Sequence, residues 1–223
     1  MDFVENLRVN AFEKLDVTDH EVDLQGWLDE DNFNIKFKEA IAKKSASDPL
    51  LIVEVGTWKG KSAINMATIL KNSGLTNFKI VCIDTWLGAQ EFWTDRKGGI
   101  RDLHMVNGYP NIFYTFTKNV KKLGHDDVIV PFPLSSTEAA YVLDYYKLRP
   151  DVIYIDAAHE YDAVKRDIEL YWPLVAPGGT LMGDDYHWRG VSKAVDEFGG
   201  CTSLGKVWSR DRLTSELAYT ALI

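Results

Sequence analysis

Leu50-Leu51-Ile52-Val53-Glu54-Val55-Gly56-Thr57-Trp58-Lys59-Gly60-Lys61-Ser62 is the stretch of this chain that decides its fold. Residues 50–55 form a short run rich in branched apolar side chains and cut off by a glycine turn, the pattern of a buried strand. Gly56 and Gly60 permit a tight turn and close approach of a ligand to the backbone. Beyond them, apolar residues at 63, 64, 67 and 70 mark one face of a helix over residues 62–71. The alternation then repeats. Lys79-Ile80-Val81-Cys82-Ile83-Asp84 and Asp127-Val128-Ile129-Val130-Pro131 read as strands, as do the apolar runs ending at Asp156 and at Asp184-Asp185. Val164, Ile168, Tyr171 and Trp172 mark a helix stopped by Pro173, and Val191, Ala194, Val195 and Phe198 mark another. Strands alternating with helices predict an α/β fold: a doubly wound, mostly parallel sheet with helices on both faces. Residues 206–208 and the run 217–223 are expected to close that sheet as a hairpin.

Composition narrows the class. A chain of 223 residues, 46% hydrophobic and 26% charged, suits one large domain with a sizeable core. Its net charge of −8 argues against a nucleic acid or an anionic membrane as the main partner. With 2 cysteines, Cys82 in a strand run and Cys201 in a glycine-rich turn, no disulfide framework is expected. Residues 1–30 are acidic without an apolar core segment, so no signal peptide is expected, and no run approaches a membrane span. The default expectation is a cytoplasmic protein.

The strand ends carry the chemistry. Asp156-Ala157-Ala158-His159 and Asp184-Asp185 fall where an open parallel sheet lines its ligand crevice. Three acids and a histidine converging there look like a hard-cation site with a base beside it. The glycine loop itself discriminates among nucleotide sites. Thr57-Trp58-Lys59 between the glycines excludes the dinucleotide fingerprint. Gly60-Lys61-Ser62 matches the end of a phosphate loop, but Val55 stands where its first glycine belongs, and Glu54 would repel a triphosphate. Plainer roles exist for each residue: a bare turn for the glycines, a helix cap for Asp84 or Asp184-Asp185, a loop anchor for His159.

Acid-x-Gly-x-x-x-Gly at residues 54–60, with Asp84 after the second strand, resembles motif I and the following acid of class I S-adenosylmethionine-dependent methyltransferases. Asp156-Ala157-Ala158-His159-Glu160-Tyr161, Pro177-Gly178-Gly179 through Asp185-Tyr186, Trp188-Arg189-Gly190 and Asp196-Glu197-Phe198 are similar to the macrocin- and mycinose-type sugar O-methyltransferases and their cephalosporin-hydroxylase-like relatives. The resemblance covers roughly residues 50–200. It implies a seven-stranded Rossmann-like fold and a cofactor site of Glu54, Gly56, Thr57, Gly60, Ser62, Asp84, Thr85, Ser135, Ser136 and Asp156. Magnesium or another divalent cation is implied on Asp156, Asp184 and Asp185, with His159 as general base and His187 as its rival. The implied activity is methyl transfer from S-adenosylmethionine to a hydroxyl of a small acceptor, a sugar or glycosylated metabolite foremost. A phosphate-loop-like nucleotide hydrolase and a non-catalytic S-adenosylmethionine-binding partner protein are the alternatives.

Two regions stand apart. Residues 1–48 read as an N-terminal helical extension to a methyltransferase domain over 49–223, and the sequence does not decide whether they complete a lid or join two copies in a homo-oligomer. Residues 86–125 exceed a single crossover and hold Trp86, Phe92, Trp93, His104, Tyr109, Phe113 and Tyr114 with a Gly98-Gly99 pair. They read as a lid-like insertion or as a peripheral helical pair with its own small core.

Overall fold

The computed structural model describes residues 2–42, 44, 48–94 and 99–215. Two helices precede the first strand: α1 (Phe3–Phe12) and α2 (Glu30–Ile41). Then β1 (Leu50–Val55), α3 (Lys61–Asn72) and β2 (Phe78–Ile83) follow in turn. Past β2 come a short α4 (Gln90–Trp93), α5 (Ile112–Lys122), β3 (Ile129–Phe132), α6 (Ser136–Tyr145) and β4 (Val152–Ile155). The chain continues through α7 (Tyr161–Tyr171), β5 (Thr180–Gly183), α8 (Arg189–Phe198), β6 (Thr202–Leu204) and β7 (Val207–Asp211). The sheet order is β3-β2-β1-β4-β5-β7-β6, with the first five strands parallel and β7 antiparallel to both β5 and β6. The doubly wound α/β architecture expected from the sequence is present.

Alternate strand residues feed two cores, because successive side chains leave opposite faces of a strand. Ile52, Ile80, Tyr154 and Met182 pack on one face with Met66 of α3 and Phe116 of α5. Val53, Val81, Ile153 and Leu181 pack on the other with Leu143 of α6, Ile168 of α7 and Val195 of α8. The N-terminal helices join in: Phe33 and Phe37 of α2 are fully buried in the first core, and Val4 of α1 reaches the second.

The structure differs from the sequence reading at three places. The closing hairpin pairs β7 with β6, a strand not marked from the sequence, and the run 217–223 lies outside the described residues. Apolar pattern gives no sign of β6 (Thr-Ser-Leu), which is short, largely polar and at the sheet edge, where little is buried. Helix α6 was not foreseen; Ser135 caps it by accepting from the Glu138 amide at 3.3 Å. Within residues 86–125, α5 is the ordinary crossover helix between β2 and β3, with Ile112, Phe116 and Val120 in the core. Of the glycine pair in that segment, Gly98 lies outside the described residues.

Adjacent β1 and β4 send their connections to opposite sides, and this switch point opens a crevice at the strand carboxyl ends. The ladder runs one residue past the strands: Gly56 N donates to Ile83 O at 2.8 Å, Asp156 N to Val55 O at 2.8 Å and Asp184 N to Ile155 O at 3.1 Å. Backbone pairing therefore sets these residues at the crevice floor. Gly56 has φ +86°, and a Cβ there would stand 2.1 Å from the Asp156 carbonyl oxygen. Gly56→Ala is expected to destabilise the fold by ~2 kcal/mol or more, measured by urea denaturation, since both the left-handed backbone and the overlap must be relieved.

Candidate active site

The glycine loop is shaped from beneath and from the side. Glu54 is fully buried, and its carboxylate accepts from the Thr57 and Ser62 hydroxyls, with the Cys82 thiol 3.6 Å away. Burial outweighs those hydrogen bonds and pushes its carboxyl up to about 7. Asp84 clamps the loop laterally: Oδ2 accepts from the Thr57 and Trp58 amides at 3.0 and 2.9 Å, and Oδ1 from the Trp86 amide at 2.7 Å. Gly60, at φ +88°, starts α3, and a Cβ there would meet the Phe116 ring at 2.8 Å. Trp58 itself holds φ +50°, a conformation costly for a bulky residue.

A cavity of about 800 Å³ lies over this floor. Gly56, Thr57, Ser62, Asp84, Thr85, Ser135 and Ser136 line one part of it, and Asp156, His159, Asp185 and His187 another. Glu54, Gly60 and Asp184 do not reach the wall. Glu54 acts on the cavity only through the hydroxyls of Thr57 and Ser62 that it holds.

At the acid end, Asp156, His159 and Asp185 bring one ligand atom each to within 4.8 Å of one another. His159 Nε2 is 2.7 Å from Asp185 Oδ2, its Nδ1 is 3.5 Å from Glu91 Oε1, and its ring stacks on Trp188 at 5.1 Å and 22°. Asp185 has φ +60°, a left-handed strain at the point where the chain must aim two successive carboxylates. Asp184 turns away from the cavity: its Oδ2 accepts from the Tyr154 hydroxyl at 3.0 Å and lies 3.1 Å from Lys206 Nζ. Burial and the neighbouring charges of Asp184 and Asp185 raise the Asp156 carboxyl well above its usual range. Burial likewise raises Asp184, against the pull of the Asp185 amide and Lys206. For Asp185 burial is outweighed by the hydrogen bond and charge of His159, and its carboxyl is lowered. Crowded, desolvated carboxylates with oxygen donors facing a cavity suit a hard divalent cation, whose charge would relieve their repulsion.

The sequence reading missed Trp27, Glu91 and Lys206 as parts of this wall. Glu91 sits inside the aromatic-rich insertion, which offered a weak signal. Trp27 and Lys206 have no local signal, being brought in by contacts between distant segments.

A family model described as a methyltransferase domain matches residues 53–186, more than half of the chain. The chain belongs to that family. The match sets aside the nucleotide-hydrolase alternative, in keeping with Lys61 being paired to Glu30 at 3.1 Å. An uncharacterized protein, R132, of Acanthamoeba polyphaga mimivirus is 26% identical over 148 residues, 66% of this chain and 57% of that protein. This methyltransferase-family chain thus spans little more than half the length of that relative. Two solved structures share its fold. An O-methyltransferase from Bacillus cereus in complex with SAH is 13% identical with TM-score 0.56, over 86% of this chain and 84% of that one. CalS11, a TDP-rhamnose 3'-O-methyltransferase of calicheamicin biosynthesis, is 14% identical with TM-score 0.53, over 80% and 77%. Among the described residues no helix is long and apolar enough to cross a membrane.

The raised carboxyl of Glu54 has a thermodynamic consequence. Its folded value of about 7 exceeds the ordinary 4.5, so the folded state holds the proton more tightly and stability is lost as pH rises from 4.5 through 7. Glu54→Gln is expected to flatten that part of the stability profile, read from urea midpoints at several pH values. An unchanged slope would show that Glu54 titrates normally.

Proposed function

We propose that this chain is an S-adenosylmethionine-dependent, divalent-cation-assisted O-methyltransferase acting on a hydroxyl of a small acceptor, a sugar or glycosylated metabolite foremost. The observation that carries this reading is the continuity of one cavity from Asp84 and Ser135 to Asp156, His159 and Asp185. A donor at one end and an acceptor at the other would be held within a single walled space, which is the main demand of an in-line transfer. The family match and the S-adenosylhomocysteine-bound fold relative support the same donor.

Each residue then takes a role consistent with its surroundings. The Asp84 carboxylate already accepts from the Thr57, Trp58 and Trp86 amides. A ribose hydroxyl of the donor would share that carboxylate with the loop amides. Gly56 and Gly60 shape the turn, Thr57 and Ser62 line it, and Thr85, Ser135 and Ser136 border the base-binding side. Asp156 and Asp185 would hold the cation, with Asp184 beside them through Tyr154 and Lys206. When bound, S-adenosylmethionine supplies an electrophilic methyl group and a divalent cation supplies positive charge that favours the deprotonated form of a nearby hydroxyl. His159, set between Asp185 and Glu91, receives the acceptor's proton. His187 is the weaker candidate, being 59% exposed and 3.8 Å from Asp185.

Calorimetry with S-adenosylhomocysteine, magnesium and ATP tests the assignment. Uptake of the first two is expected; uptake of ATP alone, or of S-adenosylhomocysteine with no cation, would sink the full reading. Asp185→Ala is expected to lose cation uptake and at least about 100-fold in turnover, a charge-stabilisation effect of several kcal/mol, while keeping S-adenosylhomocysteine affinity. Equal loss of both bindings would mean that the acid end and the donor end are not separate.

A further inference from the structure

The cavity has more wall than a donor and a cation account for, and much of the remainder is aromatic. Three rings from three distant parts of the chain meet there: Trp27 from the segment between α1 and α2, Trp58 from the glycine loop and Phe92 from α4. Trp58 and Phe92 stack with centroids 4.7 Å apart and 15° between planes. Trp27 lies 6.4 Å from Trp58 and 6.1 Å from Phe92. Phe92 is buried, whereas Trp27 is 58% exposed. The stacked pair is thus a packed backing, and the Trp27 indole is uncovered apolar surface on a cavity wall.

Two contacts link the segments that carry Trp27 and Phe92 to the acid end. Lys206 Nζ donates to the Trp27 carbonyl at 2.6 Å and lies 3.1 Å from Asp184 Oδ2. Glu91, next to Phe92 in sequence, is 3.5 Å from His159 Nδ1. Trp27 is therefore linked through its backbone to Lys206 at the acid end, while its neighbour Trp58, whose amide donates to Asp84, joins the ring cluster to the donor end.

We propose that Trp27 is an acceptor-binding residue that selects for a hydroxyl-bearing ring, whose face stacks on the indole while its hydroxyl reaches the acids and His159. This deepens the methyl-transfer reading and rests on it. Indole stacks on the C–H face of a sugar or on the π face of a phenol, so the shared chemistry is a flat or apolar ring face beside a hydroxyl.

Saturation-transfer NMR on the protein loaded with S-adenosylhomocysteine and magnesium tests this, with a methyl rhamnoside and catechol as probes. At least one ring is expected to receive saturation, and which one does identifies the acceptor as sugar or phenol. Trp27→Ala should weaken that binding about 2- to 10-fold, the range of an aromatic stacking contact. Trp27→Phe should retain most of it, and S-adenosylhomocysteine affinity should stay unchanged in both variants. Because Trp27 is exposed and outside both cores, neither substitution threatens folding. Saturation of neither ring, equal binding by Trp27→Ala, or a parallel loss of S-adenosylhomocysteine would overturn the proposal. Failure of the unaltered protein to take up S-adenosylhomocysteine would instead bring down the methyl-transfer reading itself, and this inference with it.

Discussion

The close approach of β1 to β4 is the constraint on which the site depends. At the point where their connections part, the backbone of Gly56 runs against the carbonyl of Asp156 with no space for a side chain between them. That contact brings the floor of the glycine loop and the first acid of the second cluster side by side. The amides of Gly56, Asp156 and Asp184 remain tied to neighbouring strands. Functional groups held this way move only if the sheet moves, which is a stiffer support than a loop offers.

The same placement carries an electrostatic cost. Asp156, Asp184 and Asp185 are brought together with little water, and burying like charges is unfavourable unless positive or hydrogen-bonding partners intervene. The chain answers unequally. Asp184 takes the Tyr154 hydroxyl and Lys206, Asp185 takes His159, and Asp156 is left most strongly shifted. This uneven division leaves Asp156 the least compensated of the three, the end at which the proposed cation would relieve the repulsion. Left-handed backbone at Asp185 and Trp58 adds local strain on both sides of the crevice.

The N-terminal region is joined to the site rather than merely adjacent to it. Buried Asn119 satisfies its whole amide: Oδ1 accepts from the Asp23 amide and pairs with His20, and Nδ2 donates to the carbonyls of Asp23 and Lys59. Lys59 Nζ donates to Asp23 Oδ2 at 2.6 Å from a nearly fully buried position. The segment that carries Trp27 is thereby sewn to the glycine loop and to α5, while Lys206 links it to the far edge of the sheet.

From the sequence alone came whatever depends on local pattern. Short apolar runs at 50–55 and 79–83, helical stripes after them and acids at the run ends were enough for the doubly wound sheet, and the resemblance of the glycine loop to motif I pointed to the methyltransferase family that the comparisons support. These features are legible because strand and helix periods are written in consecutive residues. Tertiary structure decided the rest. It alone set Glu54 beneath the loop instead of on the cavity wall, and turned Asp184 toward Tyr154 and Lys206. Only packing brought Trp27, Trp58 and Phe92 together from positions 31 and 34 residues apart along the chain, a proximity no local pattern encodes because it arises where separate elements meet.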